Sequence, residues 1–138
     1  MRLFLDANVL FTAAHNPEGR SAAIVDLARQ GRCSLLTSPH AATEARRNIR
    51  VKYPEVLGRL DGLFEVVEMV GEASPADVAG VLEQQLPLKD APVLAAAIAS
   101  GAEVLVTGDR MHFGHLFGRR VRGVKVLSPA DALGLLLS

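Results

Sequence analysis

Five short β-type runs punctuate the chain, and segments of helical spacing fill the intervals between them. "RLFLD" (2–6), "CSLLTS" (33–38), "FEVVEMV" (64–70), "EVLVTG" (103–108) and "VKVLS" (124–128) read as strands. The first, second and fourth are almost continuously apolar, the pattern of strands covered on both faces. "SAAIVDLARQG" (21–31) has helical spacing and stops on Gly31, while "SPHAATEARRNIRVK" (38–52) opens with Ser38 as cap and Pro39 at the first helical position. "PEVLGRLDGLF" (54–64) supplies a further helix. "SPADVAGVLEQQL" (74–86) and "SPADALGLLLS" (128–138) share one capping start, which reads as common chemistry and not as an internal repeat. "DAPVLAAAIASG" (90–101) is apolar all round, so it is expected to be buried. Strands alternating with helices predict a parallel sheet covered on both faces. No linker or low-complexity stretch divides residues 1–138, so one α/β domain is expected.

Composition narrows the function classes. At 138 residues, with 49% hydrophobic and 22% charged side chains, the chain can build a sizeable core and is not of disordered composition. Cys33 is the only cysteine, which excludes an internal disulfide framework and a thiolate metal site. A reduced, cytoplasmic setting is expected. Asp6, Asn8 and Asn16 interrupt the apolar N-terminus, so it does not read as a signal peptide, and no apolar run approaches the roughly 20 residues of a spanning helix. The net charge is zero, but its distribution is uneven. Residues 53–88 are acidic, and the basic excess collects in "RRNIRVK" (46–52) and "RRVRGVK" (119–125). Each basic run is either a solvated helix face or a phosphate-binding surface.

The acids at the strand ends carry the chemistry. Asp6 interrupts an apolar run that resumes after Asn8, and a charge beside a core is costly without compensation. Asp109 follows the fourth apolar run, Asp90 opens the helix feeding that strand, and Glu44 lies in the helix after the second. Singly, each has an ordinary reading: Asp6 a turn or cap, Asp90 a helix cap, Glu44 half of an ion pair with Arg47, Asp109 a turn. Jointly, they fall where open α/β sheets bind ligands, beyond the carboxyl ends of the strands. Two carboxylates about 5 Å apart repel by roughly 3 kcal/mol at an effective dielectric of about 20. A cluster of them must raise its pKa values or bind a cation. Oxygen ligands from Asp and Glu suit Mg²⁺ or Mn²⁺.

The segments "LDANVLF", "SPHAATEARRN" and "KDAPVLAAAIASGAEVLVTGDR" together resemble the PIN-domain ribonucleases, and among them the VapC-like toxins of toxin–antitoxin pairs. The resemblance implies a three-layer α/β/α domain with a parallel five-stranded sheet of order 3-2-1-4-5. It also implies a metal-dependent endonuclease acting on RNA. The family's four acidic positions match Asp6, Glu44, Asp90 and Asp109. On that likeness Asp6, Asp90 and Asp109 hold Mg²⁺ or Mn²⁺, Glu44 orients or deprotonates the attacking water, and Asn8 and Thr107 assist by hydrogen bonds. Relatives carry further acids where this chain has Ala91 and Met111, so one firmly held ion is favoured. Arg46, Arg47, Arg50, Arg110, Arg119 and Arg120 are candidates for sequence-independent phosphate contacts. A cognate antitoxin and a homodimer are the partners implied, the 53–88 region being a candidate surface for either.

Alternatives remain at this stage. A catalytically degenerate PIN-like domain would bind protein or RNA with its fold unaltered. A haloacid-dehalogenase-type phosphatase needs a second Asp where Asn8 stands. A receiver would place an Asp after the third strand, where "FEVVEMVGEAS" offers none, and no Gly-rich phosphate loop follows any strand. His112 and His115 in "MHFGHLF", three apart on one short helical stretch, could bind a transition metal, but no cysteine or further histidine in sequence supports that, and they are read as loop-packing residues. His15 and His40 carry no signal.

Overall fold

The structure, a computed structural model, describes residues 1–138. β1 (Arg2–Leu5) is followed by α1 (Ala7–His15) and α2 (Arg20–Arg29), then β2 (Ser34–Thr37) and α3 (Pro39–Lys52). α4 (Leu57–Leu63), β3 (Val67–Met69) and α5 (Pro75–Ala79) come next. α6 (Ala91–Ala99), β4 (Val104–Val106), α7 (Arg110–Phe113), β5 (Arg120–Val121), β6 (Val124–Leu127) and α8 (Pro129–Leu137) complete the chain. No helix is long and apolar enough to cross a membrane.

The sheet has the order β3-β2-β1-β4-β6-β5, and every pair is parallel except β5 with β6. Six strands therefore form where five were expected. The strand expected at 124–128 is β6, next to β4, and the additional β5 is a hairpin partner at the edge. Arg122 (φ 48°) and Gly123 (φ 88°) make the two-residue link. Positive φ at both central positions is the hairpin turn that matches strand twist.

Alternation along each strand builds two cores. Leu3, Leu5, Leu35, Val104 and Val106 face α1, α2, α3, α4 and α8, while Phe4, Leu36, Leu105 and Val126 face α6 and Phe113. β1 lies between two parallel neighbours, with Leu3 opposite Leu35 on one side and Val104 on the other. Its residues 3–5 are fully buried, as the unbroken apolar run requires.

The segment 74–86 is not one helix. α5 ends against Gly80, a 3₁₀ turn covers Leu82–Gln84, and Gln85 turns left-handed at φ 60°. Val81 and Leu86 are both buried against α6 and its neighbours. In a continuous helix they would lie roughly 140° apart and could not share one core. The break lets both reach it.

Candidate active site

The chain runs from β1 outward to β2 and β3, then returns to build β4 and β6 on the other side of β1. The reversal between β1 and β4 is the switch point, where crevices form at the carboxyl ends of such sheets. Asp6 continues β1 by donating its N–H to the Val106 carbonyl at 3.0 Å. Thr107 and Asp109 leave β4 beside it.

Asp6 is only 5% exposed. Its Oδ1 accepts from the Ala7 N–H at 2.7 Å, capping α1, and its Oδ2 accepts from the Thr107 hydroxyl at 2.8 Å and Asn8 Nδ2 at 3.1 Å. Burial pushes its pKa up to about 6, and the charges of Glu44 and Asp90 push in the same direction, against the hydrogen bonds from Thr107 and Ala7. Thr107 is fully buried, and its hydroxyl also accepts from the Asp109 N–H at 3.2 Å, so one side chain positions two of the acids. Asn8 Oδ1 accepts the Gly108 N–H at 2.7 Å. A Cβ on Gly108 would lie 3.3 Å from that oxygen, so the close approach favours glycine.

Asp90 begins α6 but makes no side-chain bond to the helix amides, so the ordinary capping role is absent. Its Oδ2 is buried and has no hydrogen-bond partner. Burial raises the Asp90 pKa, the nearby His112 and Lys89 charges oppose that rise, and Asp109 and Glu44 add to it. Asp109 caps α7 through Oδ1, which accepts from the His112 N–H at 3.0 Å. Glu44 forms no ion pair with Arg47. Asp6, Glu44, Asp90 and Asp109 instead line one cleft of about 210 Å³, together with Asn8, Phe11, Thr12, Asn48, Lys52 and Lys89. Four carboxylates from four separate elements thus face one cleft at the switch point. A donor set of carboxylate oxygens, one of them buried and unpartnered, fits a hard divalent cation.

A family model described as PIN domain matches residues 2–111. This chain belongs to the PIN-domain family. No curated protein matches its sequence significantly. Solved structures with the same fold include the Pyrobaculum aerophilum protein PAE2754, at 18% identity and TM-score 0.70, covering 99% of this chain and 96% of that one. The VapBC2 structure from Rickettsia felis, bound to a promoter DNA fragment, matches at 18% identity and TM-score 0.67, covering 93% and 98%. VapC20 of Mycobacterium tuberculosis, a Sarcin-Ricin loop cleaving toxin, matches at 13% identity and TM-score 0.61, covering 87% and 97%.

Not every residue singled out in the PIN domain's sequence reaches the cleft. Arg46 pairs with Asp61 at 2.5 Å and lies over the Phe64 ring, so its guanidinium ties α3 to the α4 region. Arg47 lines a polar hollow shared with His40, Thr43, Glu44, Glu72 and Lys89. Arg50 and Arg110 are exposed. Arg119 and Arg120 lead into the β5–β6 hairpin, whose turn precedes β6 and so lies toward the opposite end of the strands from the acids. Ala91 is fully buried, and Met111 is 86% exposed.

His112 corrects the sequence reading. Its Nδ1 lies 2.8 Å from Asp109 Oδ2 and 3.1 Å from Asp90 Oδ2, placing the imidazole within the acid cluster and not in loop packing. The available signal was its position one helical turn after Asp109. His115 does fasten a loop, through Nε2 at 2.6 Å from the Gln84 carbonyl. Lys89, beside Asp90 in sequence, was also missed as a cation of the cleft.

Proposed function

We propose that this PIN domain is a divalent-metal-dependent endoribonuclease, hydrolysing RNA phosphodiester bonds as the toxin of a toxin–antitoxin pair. The observation that carries the reading is the convergence of Asp6, Glu44, Asp90 and Asp109 on one cleft. A bound Mg²⁺ or Mn²⁺ supplies charge neutralisation at the phosphate and a lowered pKa for water. Asp6, Asp90 and Asp109 would hold that ion. Thr107 and Asn8 fix the Asp6 carboxylate, and Thr107 also fixes the backbone of Asp109.

Glu44 reaches the cleft from α3 without an ion-pair partner. It is assigned to orient the attacking water and accept its proton. The water oxygen bonds to phosphorus as the bond to the 3′ oxygen breaks, and the departing oxygen takes up a proton. The products are a 5′-phosphate and a 3′-hydroxyl. Arg47 and Lys89 border the hollow next to the acids, where they would meet flanking phosphates independently of base sequence. A toxin assignment draws support from the VapBC2 and VapC20 structures that share the fold.

Purified protein incubated with RNA tests the activity. Cleavage with Mn²⁺ or Mg²⁺, none with EDTA, and loss in Asp6→Asn and Asp90→Asn are expected. Equal cleavage by those variants would remove the proposal. Calorimetric titration with Mn²⁺ separates an active site from a degenerate one, which would take up no ion. Co-purification with the product of an adjacent short reading frame tests the antitoxin partner.

A further inference from the structure

His112 is placed by its backbone. It is the third residue of α7, its N–H is bound by Asp109 Oδ1 at 3.0 Å, and the next residue, Phe113, is fully buried. Its imidazole is therefore held against Asp90 and Asp109 by packing as well as by the hydrogen bond to Asp109 Oδ2. One ligand atom from each of Asp90, Asp109 and His112 lies within 4.8 Å of the others. Among the chain's histidine and carboxylate side chains, these are the three that draw together so closely.

One observation separates this group from a simple ion pair. The Nδ1 hydrogen bond goes to Asp109 Oδ2, and Asp90 Oδ2, although only 3.1 Å from the same nitrogen, receives none and stays unpartnered in a buried position. One N–H cannot serve both oxygens along its axis. The separations of 2.8 and 3.1 Å are those of ordinary N–H···O contacts, and they leave the three atoms close enough together to share one ion. A single cation facing all three atoms would satisfy the oxygen that the imidazole leaves bare.

We propose that His112, through Nδ1, is a ligand of the divalent ion beside Asp90 and Asp109, and that it tunes the site toward Mn²⁺ and similar transition ions over Mg²⁺. This rests on the metal-dependent reading of the same cleft. The selectivity follows from ligand type. Imidazole nitrogen binds transition ions, Mn²⁺ the most weakly of them, whereas Mg²⁺ prefers oxygen and retains its waters. A cleft of carboxylates alone would discriminate less. Nδ1 is the ring nitrogen that faces both carboxylate oxygens, so it is the atom placed to ligate.

Pulsed EPR of the full-length protein with Mn²⁺ tests the assignment without reference to catalysis. The bound ion is expected to show nitrogen hyperfine coupling that changes isotope character when the protein is made with ¹⁵N-histidine. His112→Ala is expected to lose that coupling while still holding Mn²⁺ more weakly. Calorimetry should show a fall of about tenfold or more in Mn²⁺ affinity for His112→Ala, with Mg²⁺ affinity changed less than about twofold. Wild-type Mn²⁺ binding without nitrogen coupling would overturn the proposal and leave the nuclease reading intact. So would equal weakening of both ions in His112→Ala, which is the signature of a charge effect. Failure of the wild type to bind Mn²⁺ at all would overturn both. The isotope comparison uses unaltered protein, so it does not depend on how the variant folds.

Discussion

Asp6→Asn is expected to stabilise the metal-free protein at neutral pH while abolishing metal binding. In the unfolded chain the Asp6 carboxyl titrates near 3.8, and in the fold near 6. Between these values the native state holds more protons than the unfolded state, so stability falls as pH rises. Below about pH 4 the two states are equally protonated and nothing is lost; above 6 the whole cost is present. The difference corresponds to about 3 kcal/mol at pH 7.5 and about 1 kcal/mol at pH 4.5. An asparagine removes the charge and keeps the cap on Ala7 through its carbonyl oxygen. Its amide nitrogen takes the place of the oxygen that accepts from the Thr107 hydroxyl and Asn8 Nδ2, so the hydroxyl must turn to another acceptor and the two amides meet donor to donor, together a loss of about 1 kcal/mol. The net expectation is a gain of about 2 kcal/mol at pH 7.5 in EDTA, or roughly 8 °C in Tm. At pH 4.5 the two effects cancel to within about 1 kcal/mol. Urea unfolding at both pH values measures this directly. Saturating Mn²⁺ should raise wild-type stability and leave Asp6→Asn unchanged. An Asp6→Asn protein that is less stable than wild type at pH 7.5 without metal would refute the reasoning, because burial of the charge would then cost less than its hydrogen bonds contribute.

Thr107→Val removes the hydroxyl that bonds Asp6 Oδ2 and the Asp109 N–H; calorimetry should show Mn²⁺ affinity reduced by about tenfold, and unchanged affinity would deny Thr107 its positioning role. Lys89→Ala should reduce the slope of RNA affinity against salt by about one ion, read from filter binding over a salt series with Ca²⁺ replacing the reactive ion. Phe4→Ala empties a fully buried site on the α6 face of the sheet and should cost about 3–5 kcal/mol in urea unfolding; a loss below about 1 kcal/mol would mean that this core collapses around the deletion.

The layered fold was legible because the central strands are buried on both sides, leaving unbroken apolar runs such as "LFL" and "VLV" that periodicity detects. Helix starts were legible because their capping chemistry is local: Ser38, Ser74 and Ser128 accept from the amides of Ala41, Asp77 and Asp131 as their sequences suggest. β5 escaped because two residues and a turn carry too little pattern to register. The break at Gly80 escaped because the residues on either side satisfy helical spacing, and only the position of the core decides against it. The four acids could be placed at one crevice because strand order and strand ends follow general rules. His112 could not, since its part depends on how α7 docks against Asp90, a tertiary relation that no local pattern encodes. Arg46 shows the converse: its place in a basic run suggested phosphate binding, and a partner fifteen positions away occupies it instead.

Anomalous diffraction from crystals grown with Mn²⁺ tests most directly whether acids from separate elements share one ion. A peak in the cleft is expected within about 2.5 Å of carboxylate oxygens from Asp6, Asp90 and Asp109, and its absence in Asp90→Asn crystals treated alike. A peak bound elsewhere on the chain, or a cleft that stays empty of signal at saturating Mn²⁺, would contradict the account.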